Sequence, residues 1–170
     1  LYSLVKKIGE GGQGTTFHAK DADSNDVAIK ILLKKWDNDQ SRERMHREVG
    51  ALIRLSRTEA LTPRFIASNI DEALDDKSVK PFVAMQYING PTLGESQASS
   101  GPMSLNNGLA FCHDLLNTIE IAHEHETTHR DIKPGNVVLD HGKRDRPFLI
   151  DFGLSFNKAE NDGTSLTRDQ

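Results

Sequence analysis

The sequence predicts an α+β fold in which a small antiparallel sheet carrying one helix comes first and a mainly helical part follows. Three observations predict it. Three short apolar runs, joined by a glycine-rich turn and a polar turn, fill the first 33 residues. A helical period of three and four residues sets in near Ser41. A second, longer helical stretch starts near Ser104, beyond a segment rich in Gly, Pro and Ser. The 170 residues are enough for one domain with a real core, and 36% hydrophobic with 27% charged residues is an ordinary globular composition.

Each element has its own signal. Leu4, Val5 and Ile8 form a first strand that runs into Gly9-Glu10-Gly11-Gly12-Gln13-Gly14. Residues 15–20 form a second strand, and the polar cluster 21–26 a turn. Residues 27–33 are apolar except for Lys30, which predicts a strand buried on both faces. Met45, Val49, Leu52 and Leu55 share one face of the first helix. Glu48 lies on that same inward face, and because an unpaired buried carboxylate is costly, it needs a partner. Pro63 ends this region. Residues 65–70 and 82–88 are strand-like, and 71–80 between them reads as a solvated hairpin tip. Gly90-Pro91 and 96–102 are the loosest part of the chain and the expected lobe boundary. Leu105, Leu109, Cys112, Leu116, Ile119 and Ala122 then mark a long amphipathic helix with Ser104 as its N-cap. A turn at 141–146 and a strand at 148–150 lead into Asp151-Phe152-Gly153, and the polar tail from Asn157 has no period.

Composition removes several function classes. With 21 basic against 25 acidic residues the net charge is −4, which argues against general binding to nucleic acid or anionic membranes. No apolar run has the length of a membrane span. The single cysteine, Cys112, excludes an intramolecular disulfide framework and suits a reducing, cytoplasmic setting. Of the seven histidines, His123 and His125 stand two apart at a helix end, and Cys112 has no second cysteine, so the zinc reading is poor. The chain opens on Leu1 and stops after a loop-like stretch, which reads as a piece of a longer protein.

Two groups of residues carry chemistry by themselves. Gly9-x-Gly11-x-x-Gly14 between two strands lets backbone N–H groups approach phosphate oxygens without side-chain obstruction. No helix follows it, so the dinucleotide-binding context is missing, and so is the Gly-Lys-Ser/Thr ending of a P-loop. Lys30, in the middle of an apolar strand, must snorkel or meet a counter-charge, and Glu48 is the obvious one.

A third group completes a pattern. His129-Arg130-Asp131-Ile132-Lys133-Pro134-Gly135-Asn136 is followed, after a turn and one strand, by Asp151-Phe152-Gly153. With the glycine turn and Val27-Ala28-Ile29-Lys30 ahead of them, these motifs resemble the eukaryotic-type protein kinase family, with wording that leans toward bacterial members. The resemblance implies a two-lobe kinase-like fold: an N-terminal lobe over residues 1–88, then the hinge and an incomplete helical lobe over 89–170.

It also implies roles, residue by residue. Gly9, Gly11 and Gly14 would cover the phosphates of ATP, and Lys30, paired with Glu48, would grip the α- and β-phosphates. Asp131 would receive the proton of the attacking hydroxyl, and Asn136 and Asp151 would hold Mg2+. Lys133 would neutralise the γ-phosphate and points to the serine/threonine branch, hence to a protein substrate with a Ser or Thr acceptor. Residues 82–90 resemble the hinge, with Met85 guarding the back of the adenine pocket. The backbones of Gln86 and Ile88 would bond the adenine edge, while Ala28 and Val138 would sandwich the ring. His129 would pack beneath Phe152. Arg130 would pair with a phosphorylated residue among Thr164, Ser165 and Thr167.

The chain departs from the pattern at Thr16 (usually Val, against the adenine), at Gln13 and at Glu126-Thr127-Thr128, where hydrogen bonds would have to compensate for lost apolar residues. The physical logic holds without the family: three anionic phosphates need cations, here Lys30 and Lys133, and an oxygen-only pair such as Asp151 with Asn136 suits a hard cation. No Ala-Pro-Glu motif follows Gly153, so the isolated 170-residue chain is expected to be poorly stable and nearly inactive. Two rivals remain: a pseudokinase or scaffold that binds nucleotide without turnover, and a small-molecule kinase of related fold.

Overall fold

A computed structural model describes residues 1–11, 14–32, 39–75, 79–143, 145–152 and 156–157. Its largest layer is a five-stranded antiparallel sheet of β1 (Ser3–Gly11), β2 (Gly14–Lys20), β3 (Asp26–Leu32), β4 (Phe65–Ser68) and β5 (Phe82–Gln86). The strands lie in the order β1-β2-β3-β5-β4. Its register matters for the site. Gly9 pairs with Thr16, Thr16 with Lys30, and Lys30 with Val83, so these four form one row across the sheet. Two residues along, Ala28 pairs with Met85 on the same face. β3 is buried on both faces as its apolar run predicts: Ala28 packs with Val83 and Met85, while Val27 and Ile29 pack with Ala19 and Ala84 on the other side.

The helix α1 (Asp39–Leu55) covers the first of these faces with Val49 and Leu52. The side chain of Met45, expected on the same stripe, lies outside the described residues. One turn on, Ala51 and Leu55 leave the sheet and join Ala122, Val137, Leu149 and Phe152. This helix therefore bridges the sheet and the helical part, and its inward stripe also carries Glu48.

Three stretches differ from their sequence reading. Residues 71–80 are not simply a hairpin tip, because α2 (Ile70–Asp75) occupies the start of that stretch. Asn69 fixes it: its backbone carbonyl accepts from Ala73 N, and its side chain bonds Phe82 N at 2.7 Å and Lys80 O at 3.1 Å. Buried Ile70 and Ala73 then anchor the turn. Residues 96–102 are not loose either. They largely belong to α3 (Leu93–Ser100), which opens with a capping box in which Thr92 and Glu95 satisfy each other's backbone N–H groups. That signal, Thr-x-x-Glu, was present in the sequence and was masked by the polar composition.

Gly90-Pro91 is packed rather than loose. Leu139 N donates to Pro91 O and His141 N to Asn89 O, which lays this segment along β7 (Val137–Asp140). A Cβ on Gly90 would stand 1.7 Å from the Leu139 carbonyl oxygen. Gly90→Ala is therefore expected to destabilise the fold by about 1–3 kcal/mol, read from urea unfolding.

The long helix α4 (Leu105–Glu124) starts at the expected N-cap, Ser104, whose Oγ accepts from Asn107 N. Its buried face keeps Ile119 and Ala122 of the expected stripe and departs from the rest. Phe111, Leu115, Thr118, Ile119 and Ala122 point inward, whereas Leu105, Leu109 and Leu116 are 78%, 61% and 65% exposed and Cys112 is exposed as well. Sequence periodicity fits both stripes, and the elements packed against the helix, β8 (Arg146–Leu149) among them, decide between them. No helix among the described residues is long and apolar enough to cross a membrane.

Two residues past the end of α4, Glu126 has a left-handed φ of 54°, and its N–H bonds His123 O. Glycine is the favoured residue for that conformation, so Glu126→Gly is expected to stabilise by about 0.5–1 kcal/mol, measured as a rise in Tm. Thr127 follows in β6 (Thr127–Thr128), fully buried and paired with β9 (Phe156–Asn157). Its hydroxyl donates to His125 O at 3.1 Å, which supplies the compensating bond the sequence called for.

Candidate active site

Burying an ammonium group in a sheet requires opposite charge at contact distance. Lys30, only 6% exposed on β3, donates to both carboxylate oxygens of Glu48 at 2.8 Å. It also reaches Asp151 Oδ1 at 2.9 Å. Three sequence-predicted residues, from β3, α1 and the segment after β8, thus meet at one nitrogen. Burial by itself would lower the Lys30 pKa, but the Glu48 and Asp151 charges outweigh it and hold the ammonium above its ordinary value.

The second cluster is built on the loop between β6 and β7. A short 3₁₀ turn, Pro134–Asn136, ends with Asn136 Nδ2 donating to the backbone oxygen of Asp131 at 2.8 Å and to its Oδ2 at 3.0 Å. Lys133 Nζ donates to the same Oδ2 at 2.7 Å, and this bond raises the Lys133 pKa. Because the nitrogen of the Asn136 amide is engaged by Asp131, its Oδ1 is the atom that could serve a cation. Asn136 is 7% exposed, and its backbone oxygen accepts from Ile150 N at 2.9 Å. That single ladder-like bond ties the second cluster to the residue next to Asp151 and so to the first.

His129 supplies the other tie. Its Nε2 bonds Ile150 O at 2.8 Å and its Nδ1 accepts from Asp131 N at 3.2 Å. A carbonyl can only accept, so Nε2 carries the proton and the ring is neutral. It meets Phe152 edge-on, with centroids 4.6 Å apart, as its sequence reading implies. The two hydrogen bonds had no sequence signal, since both partners are backbone atoms. Arg130 and Asp151 have φ of 64°, a left-handed conformation that costs non-glycine residues free energy, and both stand inside this double tie.

Burial lowers the His129 pKa against the pull of Ile150 O and the nearby carboxylates. The unfolded chain therefore takes up a proton that the folded chain resists. The associated stability is complete above the ordinary histidine value of 6.5 and is lost as pH falls below it. We expect the unfolding free energy to decline from pH 7.5 to 5.5, and the slope to flatten in His129→Asn.

The remaining predicted residues flank these clusters. Gly9 and Thr16 share the Lys30 row, and Gly11 pairs with Gly14 at the turn, whose residues 12 and 13 lie outside the described set. Met85 packs with Ala28, and Ile88 packs with Val138, so the segment joining β5 to α3 runs between those two contacts. Gln86 N donates to Arg64 O at 2.8 Å, so that N–H is already engaged. Gly153, Thr164, Ser165 and Thr167 lie outside the described residues. Among those described, no three His, Cys, Asp or Glu side chains gather as a metal site. The oxygen donors of Asp151 and Asn136 nevertheless have the chemistry that would suit a hard cation.

Comparison with known proteins identifies the family. The family model described as protein kinase domain matches residues 2–168. The probable serine/threonine-protein kinase PkwA of Thermomonospora curvata is 33% identical over 91% of this chain and 19% of its own length. The serine/threonine-protein kinase PksC of Streptomyces coelicolor is 35% identical over 89% and 27%, and PrkC of Bacillus subtilis 30% identical over 91% and 22%. The chain thus spans less than a third of the length of each of these curated relatives.

Proposed function

The chain belongs to the protein kinase domain family, and from that premise we propose that the polypeptide carrying it transfers the γ-phosphoryl group of ATP to Ser or Thr hydroxyls of proteins. The observation that carries the reading is the meeting of Lys30, Glu48 and Asp151, joined through Ile150 to the Asp131, Lys133 and Asn136 cluster. The lobes divide at residues 88 and 89 in this reading, with the nucleotide between them. Gly9, Gly11, Gly14, Thr16, Ala28, Met85, Gln86, Ile88 and Val138 surround it.

Phosphoryl transfer asks for positioning and charge placement rather than covalent chemistry. Lys30, kept charged and immobile by two carboxylates, grips the α- and β-phosphates. Asp131 takes the hydroxyl proton as the new O–P bond forms and the bond to the departing ADP oxygen breaks. Lys133 sits against Asp131, where it offsets charge on the transferring group. Asn136 and Asp151 are the residues that would hold Mg2+, which when bound neutralises phosphate charge. The isolated 170-residue chain is expected to transfer little, because α4 leaves Leu105, Leu109 and Leu116 facing solvent.

The test is incubation of the full-length polypeptide with γ-labelled ATP and Mg2+, against generic proteins and against aminoglycoside and choline acceptors. Label recovered as phosphoserine or phosphothreonine supports the reading. Nucleotide binding without transfer, or transfer only to small molecules, overturns it.

A further inference from the structure

We propose that Thr118, on α4 and far in sequence from every residue of the candidate site, is a positioning residue that sets where α1 presents Glu48 to Lys30. The proposal rests on the kinase reading above and deepens it. Thr118 is 0% exposed. Its Oγ1 donates to Asp114 O at 2.9 Å, which is what a threonine inside a helix ordinarily does. It also accepts from Leu61 N at 3.2 Å, a residue 57 positions away on the connection between α1 and β4, and helix geometry does not account for that bond.

Leu61 is held on its other sides too. Its carbonyl accepts from Leu149 N of β8 at 2.8 Å, and its side chain packs with Ile88, Val138 and Phe148. This short connection is therefore fastened to α4 and β8, although it lies between two elements packed on the large sheet. From Leu61 a run of bonds leads back to the end of α1. Ala60 N donates to Thr58 Oγ1 at 3.2 Å, and Thr58 Oγ1 donates to Leu55 O at 2.8 Å. Leu55 is itself buried against Ala122 of α4 and Leu149 of β8. Glu48 stands seven residues earlier, about two turns up a continuous helix. A helix transmits displacement of its end over so short a span, and the two 2.8 Å bonds to Lys30 leave little room for it.

Thr118→Val keeps the volume, removes the hydroxyl and leaves the buried Leu61 N–H without its partner; Thr118→Ser keeps the hydroxyl. In the full-length polypeptide, Thr118→Val is expected to lower kcat/KM for ATP by about tenfold and Thr118→Ser to recover most of it. In a Glu48→Gln background, Thr118→Val should cost less than about twofold more, because the hydroxyl acts through Glu48. A loss that adds in full to that of Glu48→Gln, or a fall in Tm with unchanged kcat/KM, overturns the proposal. Should the valine variant fail to fold, Thr118→Cys, a weaker acceptor of similar size, should give the same ordering at smaller size.

Amide exchange across residues 46–52 of the nucleotide-free protein separates this proposal from the kinase reading. Faster exchange in Thr118→Val, but not in Thr118→Ser, supports the positioning role even if the wild-type polypeptide transfers no phosphate. Unchanged exchange overturns the role whatever the activity.

Discussion

Asp131→Asn is expected to lower kcat of the full-length polypeptide by about 10³-fold while leaving nucleotide affinity and fold nearly intact. The substitution exchanges an anionic acceptor for a neutral one of the same shape. Asp131 Oδ2 receives Lys133 at 2.7 Å and Asn136 at 3.0 Å, and an amide oxygen can still receive one of these donors. Its side chain is 32% exposed, so no buried charge is stranded when the carboxylate goes. The Lys30, Glu48 and Asp151 cluster does not depend on the Asp131 side chain, because its link to the loop runs through backbone atoms of Asn136 and Ile150. In the proposed reading, what is lost is the capacity to take the hydroxyl proton. Single-turnover transfer with labelled ATP gives the chemical rate, and a nucleotide titration gives the affinity. A fall in kcat of less than tenfold would remove Asp131 from the proton-accepting role, and a matching loss of affinity would reassign it to binding.

The sequence carried the charged centre more completely than the frame around it. Lys30 stands out because it interrupts an apolar strand, and Glu48 because it falls on the buried stripe of a helix, and each predicts the other. Side chains whose chemistry conflicts with their surroundings announce themselves in this way. The first half of α4 did not, since Leu105-Leu109-Cys112-Leu116 and Phe111-Leu115 both lead with helical spacing into Ile119 and Ala122, and the choice is made by elements distant in the chain. The packing of Gly90 on Leu139 was equally silent, because a glycine reads as freedom until the carbonyl facing it is known. His129 shows the same limit at the site itself. Its contact with Phe152 follows from the motif, but its bonds to Ile150 O and Asp131 N are backbone encounters that no side-chain pattern encodes.

Lys30→Met should act on stability and on catalysis at once, and a second substitution should separate the two. Removing the ammonium leaves Glu48, 3% exposed, as a buried carboxylate without its counter-charge. Breaking a buried pair from one side costs about 3–5 kcal/mol, so the variant should unfold at clearly lower urea. Transfer should also fall by about 10²–10³-fold, because Lys30 is the cation that the proposed reading sets on the α- and β-phosphates. Adding Glu48→Leu removes the stranded charge at a buried position. Replacing both members of a buried pair by apolar groups is close to neutral, so the double variant should regain most of the lost stability. Asp151 tolerates the change, its side chain being 40% exposed. Transfer should not return with the fold, since nothing restores a charge at the phosphates. Recovery of activity in the double variant would mean that Lys30 serves the fold and not the nucleotide. Unchanged stability in the single variant would mean that the pair is less secluded from water than its 2.8 Å bonds imply.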